Sequence, residues 1–267
     1  MESSLIATRP VAPVAPYLGG KRNLARIVID RLARVPHETY AEAFVGMGGV
    51  FLRRPFKARS EVINDISQDV TTLFRILQRH YVALMDVLRW QITSRAEFER
   101  LLAENPDSLT DLERAARFLY LQRTAFGGKV EGRNFGVTMS GRGARFDVTK
   151  LGTILEAVHE RLAGVVIERL PWRAFLTRYD RPSTLFYLDP PYYGSEGDYG
   201  PGVFARGDFE GLAEALRSLR GSFVMSLNDR PEVRAIFAGF RLEAVETTYT
   251  VAAAGARRAR ELIITRD

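Results

Sequence analysis

The chain has 267 residues, 46% of them hydrophobic, and a formal net charge of +6. That supplies one large core, or one domain carrying an insertion, and favours a polyanionic partner such as nucleic acid. With no cysteine and only His37, His80 and His159 as imidazoles, disulfides, thiolate chemistry and histidine-rich metal sites drop out, and no metal is expected. No apolar run nears the ~20 residues of a membrane span and the N-terminus lacks a signal pattern, so a soluble, cytoplasmic chain is expected.

Residues 1–16, with Pro10, Pro13 and Pro16 and little periodicity, read as an extended arm. Tyr17-Leu18-Gly19-Gly20-Lys21-Arg22 follows. Its glycine pair permits close backbone approach to a ligand, and Lys21 heads a helix over residues 23–33 where it can meet a carboxylate. An ordinary helix lead-in would look the same. A short strand over 39–44 then runs into Val45-Gly46-Met47-Gly48-Gly49-Val50-Phe51-Leu52, a glycine turn suited to a nucleoside although its spacing is not G-x-G-x-x-G. The next strand, 61–64, ends in Asp65. An acid about 20 residues past such a turn commonly takes ribose hydroxyls, and Asp65 also suits the head of a helix over 68–80.

From Leu73 to Thr124 the pattern is helical. Ser94 with Glu97 and Thr110 with Glu113 have capping-box spacing, and Leu112, Ala115, Ala116 and Leu119 form an apolar stripe. These are core signals. Residues 123–145 differ: glycines alternate with Arg123, Lys129, Arg133, Arg142 and Arg145, with Asn134, Phe126 and Phe135 interleaved and Glu131 the one acid. Mobile backbone, cations for phosphates and amide or guanidinium groups for base edges are what a DNA-reading loop requires, a solvated surface loop being the alternative.

Strand and helix alternate again after that loop, with a helix over 149–162, a strand over 165–168 and a helix after Pro171. The strand 185–188 runs into Asp189-Pro190-Pro191-Tyr192. Proline cannot donate to a sheet ladder, so the strand must stop at Asp189 in a stiff turn, leaving a carboxylate, rigid carbonyls and an aromatic ring at its carboxyl end. That group suits attack by an amine conjugated to an aromatic ring, in adenine or in cytosine, a turn that merely ends the strand being the alternative. Asp189 and the Pro190 carbonyl would each accept one N–H while Tyr192 stacks on the base. Residues 194–207, rich in Gly, Tyr and acids, suit a lid. A helix over 209–219, a strand over 222–227 and a turn at 228–231 lead to two strands, 240–251 and 261–265. The joint between them, 255–260, carries Arg257, Arg258 and Arg260, placed either near a phosphate backbone or at a solvated hairpin tip.

Taken together, the segments Y-L-G-G-K-R, A-E-A-F-V-G-M-G-G-V-F-L, E-V-I-N-D, L-x-R-x-x-F-G-G with G-R-N, F-Y-L-D-P-P-Y-Y and R-E-L-I-I resemble, in that order, the Dam-type N6-adenine DNA methyltransferases of the D12 class, α group. The resemblance implies an α/β fold, a Rossmann-like S-adenosylmethionine-dependent methyltransferase sheet with an inserted helical and hairpin target-recognition domain. Residues 1–72 and 147–267 would form the catalytic part and 73–146 the insertion. It implies S-adenosylmethionine as cofactor and double-stranded DNA as partner, acted on by a monomer. Lys21 would lie at the methionine end of the cofactor, with Tyr17 and Gly20 beside it. Phe44, Gly46 and Gly48 would form the cofactor loop, Asp65 would hold the ribose and Trp172 would cover the adenine ring. Asp189 and Pro190, with Pro191 stiffening the turn, would bind the target amine beside the cofactor, and Tyr192 would stack on the base. Arg123, Arg133 and Asn134 would belong to the recognition segment. Two departures stand out: Pro171-Trp172 replaces the usual Asp-Phe, and Gly128 occupies the usual Asn place. The activity implied is sequence-specific adenine N6 methylation, with cytosine N4 methylation or a silent DNA-binding relative as alternatives.

Overall fold

A computed structural model describes residues 5–21, 23–136, 145–200, 202–251 and 255–266, with backbone alone for 248–251 and 255–259. The chain opens with β1 (Ile6–Ala7) and α1 (Ala25–Ala33), followed by β2 (Thr39–Glu42), β3 (Phe56–Lys57) and β4 (Ser60–Asn64). Helices α2 (Gln68–Arg79), α3 (Tyr81–Leu88), α4 (Arg95–Ala103) and α5 (Asp111–Thr124) come next. Then α6 (Val148–Arg161), β5 (Val166–Glu168), α7 (Trp172–Tyr179), β6 (Thr184–Leu188) and α8 (Asp208–Ser218) restore the alternation. β7 (Ser222–Asn228), α9 (Pro231–Ile236), β8 (Arg241–Val251) and β9 (Gly255–Thr265) complete it.

Side-chain caps mark several of these starts. Ser67 accepts from the Val70 amide at the head of α2, and at α5 Thr110 and Glu113 close a reciprocal capping box. Ser94 makes only the forward half, accepting from the Glu97 amide. Pro231, expected within a turn, instead starts α9 at a position where a missing N–H costs nothing.

The principal sheet runs β5-β4-β2-β6-β7-β9-β8. Its first five strands are parallel, and β9 runs antiparallel to both neighbours. This is the Rossmann-like architecture the resemblance implied. Strand order reverses between β2 and β6, and in open α/β sheets a ligand crevice forms at that switch point, beyond the carboxyl ends. β6 is buried along its whole length. Leu185 and Tyr187 point into one apolar cluster and Phe186 and Leu188 into the other, as the two-residue period of a strand demands. The strand stops at Leu188 because Pro190 and Pro191 offer no N–H to continue it.

The first cluster runs unbroken from α1 and the sheet through α2 into α3, α4, α5 and α6, including Val28, Tyr40, Ile63, Leu73, Leu88, Phe98 and Leu119. The expected division after residue 72 therefore falls inside α2, and the helical insertion shares the sheet's core. Behind β4, Glu61 is clamped by Arg54 and by Arg161, the latter at 2.6 and 3.0 Å. Arg54 also stacks on Tyr40, 3.5 Å from the ring centroid.

The N-terminal arm packs on the body: β1 pairs with β3, the Val11 amide donates to Leu52 at 2.8 Å, and Val14 is buried. One expectation is corrected: the last strand does not start at residue 261, because β9 begins at Gly255 and pairs with β8 along its length.

Candidate active site

Burial and ionic partners converge at the end of β6. Asp189 Oδ1 lies 2.9 Å from Lys21 Nζ and accepts from Ser226 Oγ at 3.1 Å. Ser226 is in turn 2.8 Å from the Tyr187 hydroxyl. Lys21, 3% exposed, also donates to the Tyr192 hydroxyl at 2.7 Å and to Glu261 Oε2 at 3.3 Å. An ammonium has three N–H groups, and all three are engaged here. Lys21 thus faces Asp189, Tyr192 and Glu261 while it also lines the neighbouring cleft. The other oxygen of Glu261 accepts from the Tyr192 hydroxyl. Burial pushes the Asp189 carboxyl up to about 6, against the pull of Lys21 and the Ser226 hydrogen bond. Tyr192 is held far above the ordinary phenol range, first by burial and then by Glu261 and Asp189.

The opposite wall belongs to the glycine turn after β2. Gly46 sits at φ 49°, and a Cβ there would come within 3.0 Å of the Tyr17 ring, so a side chain would fill the place where the turn meets Tyr17. The Gly46 and Ser67 amides each donate to one oxygen of Asp65 at 2.9 Å. Asp65 thus braces the entry to α2, the second of its two expected roles, and lines the cleft. Burial lifts that carboxyl to about 6. Glu42, also in the wall, is pushed up to about 8 by burial, against a hydrogen bond from the Tyr40 hydroxyl and the charge of Arg54.

Between these walls lies a cleft of about 610 Å³, reached by Tyr17, Gly20, Lys21, Phe44, Gly46, Asp65, Asp189, Pro190, Pro191 and Tyr192. Its size falls within the roughly 300–1,000 Å³ of small-molecule sites. Gly48 lies just outside the lining, packed against Leu52. Trp172 is buried in the second apolar cluster with Phe175 and Phe186 and is likewise outside it. The lid expected over 194–207 crosses the cleft: the Tyr199 hydroxyl donates to Leu18 O at 3.0 Å, and Phe204 meets Phe44 edge to face at 6.0 Å.

Comparison with known sequences decides the family. The profile of the D12 class N6 adenine-specific DNA methyltransferases matches residues 17–251. The chain belongs to that family. Two relatives match most of its length at low identity. The type II methyltransferase M1.LlaDCHI of Lactococcus lactis subsp. cremoris is 26% identical, covering 95% of this chain and 94% of its own. The type II methyltransferase M.CviBI of Paramecium bursaria Chlorella virus NC1A is 22% identical, covering 85% and 87%. Among the described residues no helix is long and apolar enough to cross a membrane, and no group of His, Cys, Asp or Glu is placed to hold a metal ion.

Within this D12 methyltransferase the residues expected to read DNA divide into two sets. Arg123 donates to Val14 O at 2.7 Å and Arg145 O at 3.3 Å, and Arg145 donates to Ala125 O at 3.0 Å. Arg123 thereby ties the segment 123–145 to the N-terminal arm, and Arg145 ties the two ends of the segment together. Arg133 donates to Lys129 O at 3.2 Å and to the Gln122 amide at 3.3 Å, with Phe118 beneath it. Lys129 and Asn134 are exposed. Arg142 and the side chains of Arg257 and Arg258 lie outside the described residues. Gly128, the departure from the usual Asn, has φ 68°, and a Cβ there would meet the Pro16 and Tyr17 backbone at 3.0 Å. Glycine alone fits where the segment packs on the cleft's lip, and the Leu18 amide donates to its carbonyl at 3.0 Å.

Sequence reasoning missed Glu261, Glu42, Ser226 and Tyr187. The two acids left a signal, Glu42 as a charge between Ala41 and Ala43 and Glu261 as one abutting Leu262-Ile263-Ile264, each costly to bury unless bonded. The two hydroxyls left none, since only the pairing of β6 with β7 brings Tyr187 and Ser226 together.

Proposed function

We propose that this protein transfers a methyl group from S-adenosylmethionine to N6 of an adenine flipped out of duplex DNA at a specific sequence. The observation that carries the reading is the placement of Asp189 in the cleft wall, its Oδ1 held by Lys21 and Ser226, opposite Asp65 and the Gly46 turn. The residues fit the cofactor: a braced carboxylate for ribose hydroxyls, a turn without side chains, and Phe44 and Tyr17 for apolar cover. Bound there, S-adenosylmethionine would supply an electrophilic methyl group on a sulfonium sulfur.

The chain's own residues do the rest. Asp189 and the Pro190 carbonyl each accept one N–H of the exocyclic amine, favouring the tetrahedral nitrogen and the positive charge that develops on it. Among the described residues no hydrogen bond ends on that carbonyl. Tyr192, its hydroxyl tied to Lys21 and Glu261, presents a ring fixed in plane for the extruded base. Holding both reactants in one cleft makes the step effectively unimolecular. Asp189 or a water receives the proton that N6 sheds. Lys129, Asn134 and the basic hairpin would follow the phosphates and base edges. The type II names of both relatives make a restriction–modification pair the setting to examine, with the enzyme acting as a cytoplasmic monomer.

Methylating duplex DNA with labelled cofactor, digesting it to nucleosides and weighing them tests this directly. N6-methyladenine is expected, lost in Asp189→Ala. N4-methylcytosine as the product would replace the substrate assignment, and full activity of the variant would refute the site.

A further inference from the structure

We propose that Glu261 is a positioning residue for this reaction, fixing the Tyr192 ring and the Lys21 ammonium from behind the cleft and, through Lys21, the carboxylate of Asp189. The inference rests on the function proposed above. Its basis is topological. β9 runs antiparallel between β7 and β8, and its register sets Glu261 opposite Asn228. Glu261, the first residue of β9 to pair with β7, thereby reaches the edge where the parallel strands end and the cleft opens. Glu261 is 1% exposed and is not among the residues that reach the cleft, so it acts through its neighbours.

Both of its oxygens are spent on catalytic partners, one accepting from the Tyr192 hydroxyl and the other from Lys21 at 3.3 Å. A carboxylate so deeply buried is costly unless bonded, and among the described residues this one is bonded to the groups it orients. Lys21, Asp189 and Glu261 together leave one excess negative charge when both acids are ionised. Asp189 faces Lys21 from the lead into α1, Glu42 from β2, Glu261 from β9, and the hydroxyls of Tyr187, Tyr192, Tyr199 and Ser226. Glu261 raises the Asp189 carboxyl while Lys21 lowers it. Neutralising Glu261 therefore shifts Asp189 downward and leaves Asp189 as the one carboxylate facing Lys21 among its described partners.

The test is steady-state methyl transfer to duplex DNA by the wild type, Glu261→Gln, Tyr192→Phe and the double variant across a pH series. In Glu261→Gln, kcat should fall about 10- to 100-fold, the loss typical of a slightly misplaced catalytic group. KM for the cofactor should stay within about threefold, and the acidic limb of kcat should move to lower pH. The double variant should lose little more than the worse single one, because both changes cut the same link. Unchanged kcat, a rise in KM alone, or a lowered kcat with an unmoved acidic limb would each overturn the assignment. Should Glu261→Gln not fold, Tyr192→Phe decides, since it keeps the ring and removes only the hydroxyl that Glu261 holds; wild-type kcat in it would overturn the proposal. Absence of methylated adenine from the wild type would sink the function itself, whereas an active wild type beside an unaffected Glu261→Gln sinks this inference alone.

Discussion

Replacing Asp189 with Asn should destroy activity and stabilise the protein. Burial lifts the carboxyl from 3.8 to about 6 even with Lys21 beside it, and each tenfold change in proton affinity is worth about 1.4 kcal/mol. Above pH 6 the folded protein therefore bears a penalty of at most about 3 kcal/mol for keeping that group ionised. The sign follows from proton counting: between 3.8 and 6 the folded state holds the proton and the unfolded state does not, so stability falls as pH rises through that window. Asparagine does not titrate and escapes the penalty. At pH 7.5 the variant's Tm should rise by as much as roughly 6–12 °C, at about 2–4 °C per kcal/mol for a chain of this size. The difference should vanish below pH 4, where both forms are neutral. Methyl transfer should fall at least about 100-fold, the usual cost of one lost electrostatic partner. Thermal unfolding of both proteins across pH 4 to 8 measures the stability effect. A lower Tm at pH 7.5, or the same gap at pH 4 and pH 8, would refute the electrostatic account of the site.

Other perturbations separate roles that look alike in the sequence. Gly46→Ala places a Cβ at φ 49° and 3.0 Å from the Tyr17 ring, so it should cost about 1–2 kcal/mol of stability. It should also weaken cofactor binding by calorimetry, and unchanged affinity would argue against the turn as a cofactor wall. Glu61→Gln leaves Arg54 and Arg161 buried without their counter-charge and should lower unfolding stability by about 3–5 kcal/mol. Arg54→Met, which keeps the Arg161 pair, should cost clearly less, and equal losses in urea titrations would discount the charge argument. Lys129→Ala should reduce the slope of log affinity against log salt for duplex DNA by about 0.9. Arg123→Ala, whose guanidinium is spent on Val14 and Arg145, should instead lower Tm.

Much of the site was legible because its segments obey local rules. Proline at 190 and 191 forces β6 to stop at the carboxylate. An apolar run such as 185–188 calls for burial on both faces, and the acid after β4 falls at that strand's carboxyl end. Those constraints act within a few residues, so the order of letters alone places Asp189, Tyr192, Gly46 and Asp65 at strand ends.

What the letters could not supply is who meets whom across 240 residues, the separation between Lys21 and Glu261. Periodicity assigns a residue to a face and leaves its partner open. Only the antiparallel entry of β9 sets Glu261 beside Lys21 and Tyr192, and only the packing of the basic segment on the N-terminal arm spends Arg123 on the Val14 carbonyl instead of a phosphate. Trp172 followed the same logic, its indole drawn into the second core by the apolar face of α7. Local backbone chemistry wrote the catalytic turn; long-range pairing and the cost of burying charge decided what surrounds it.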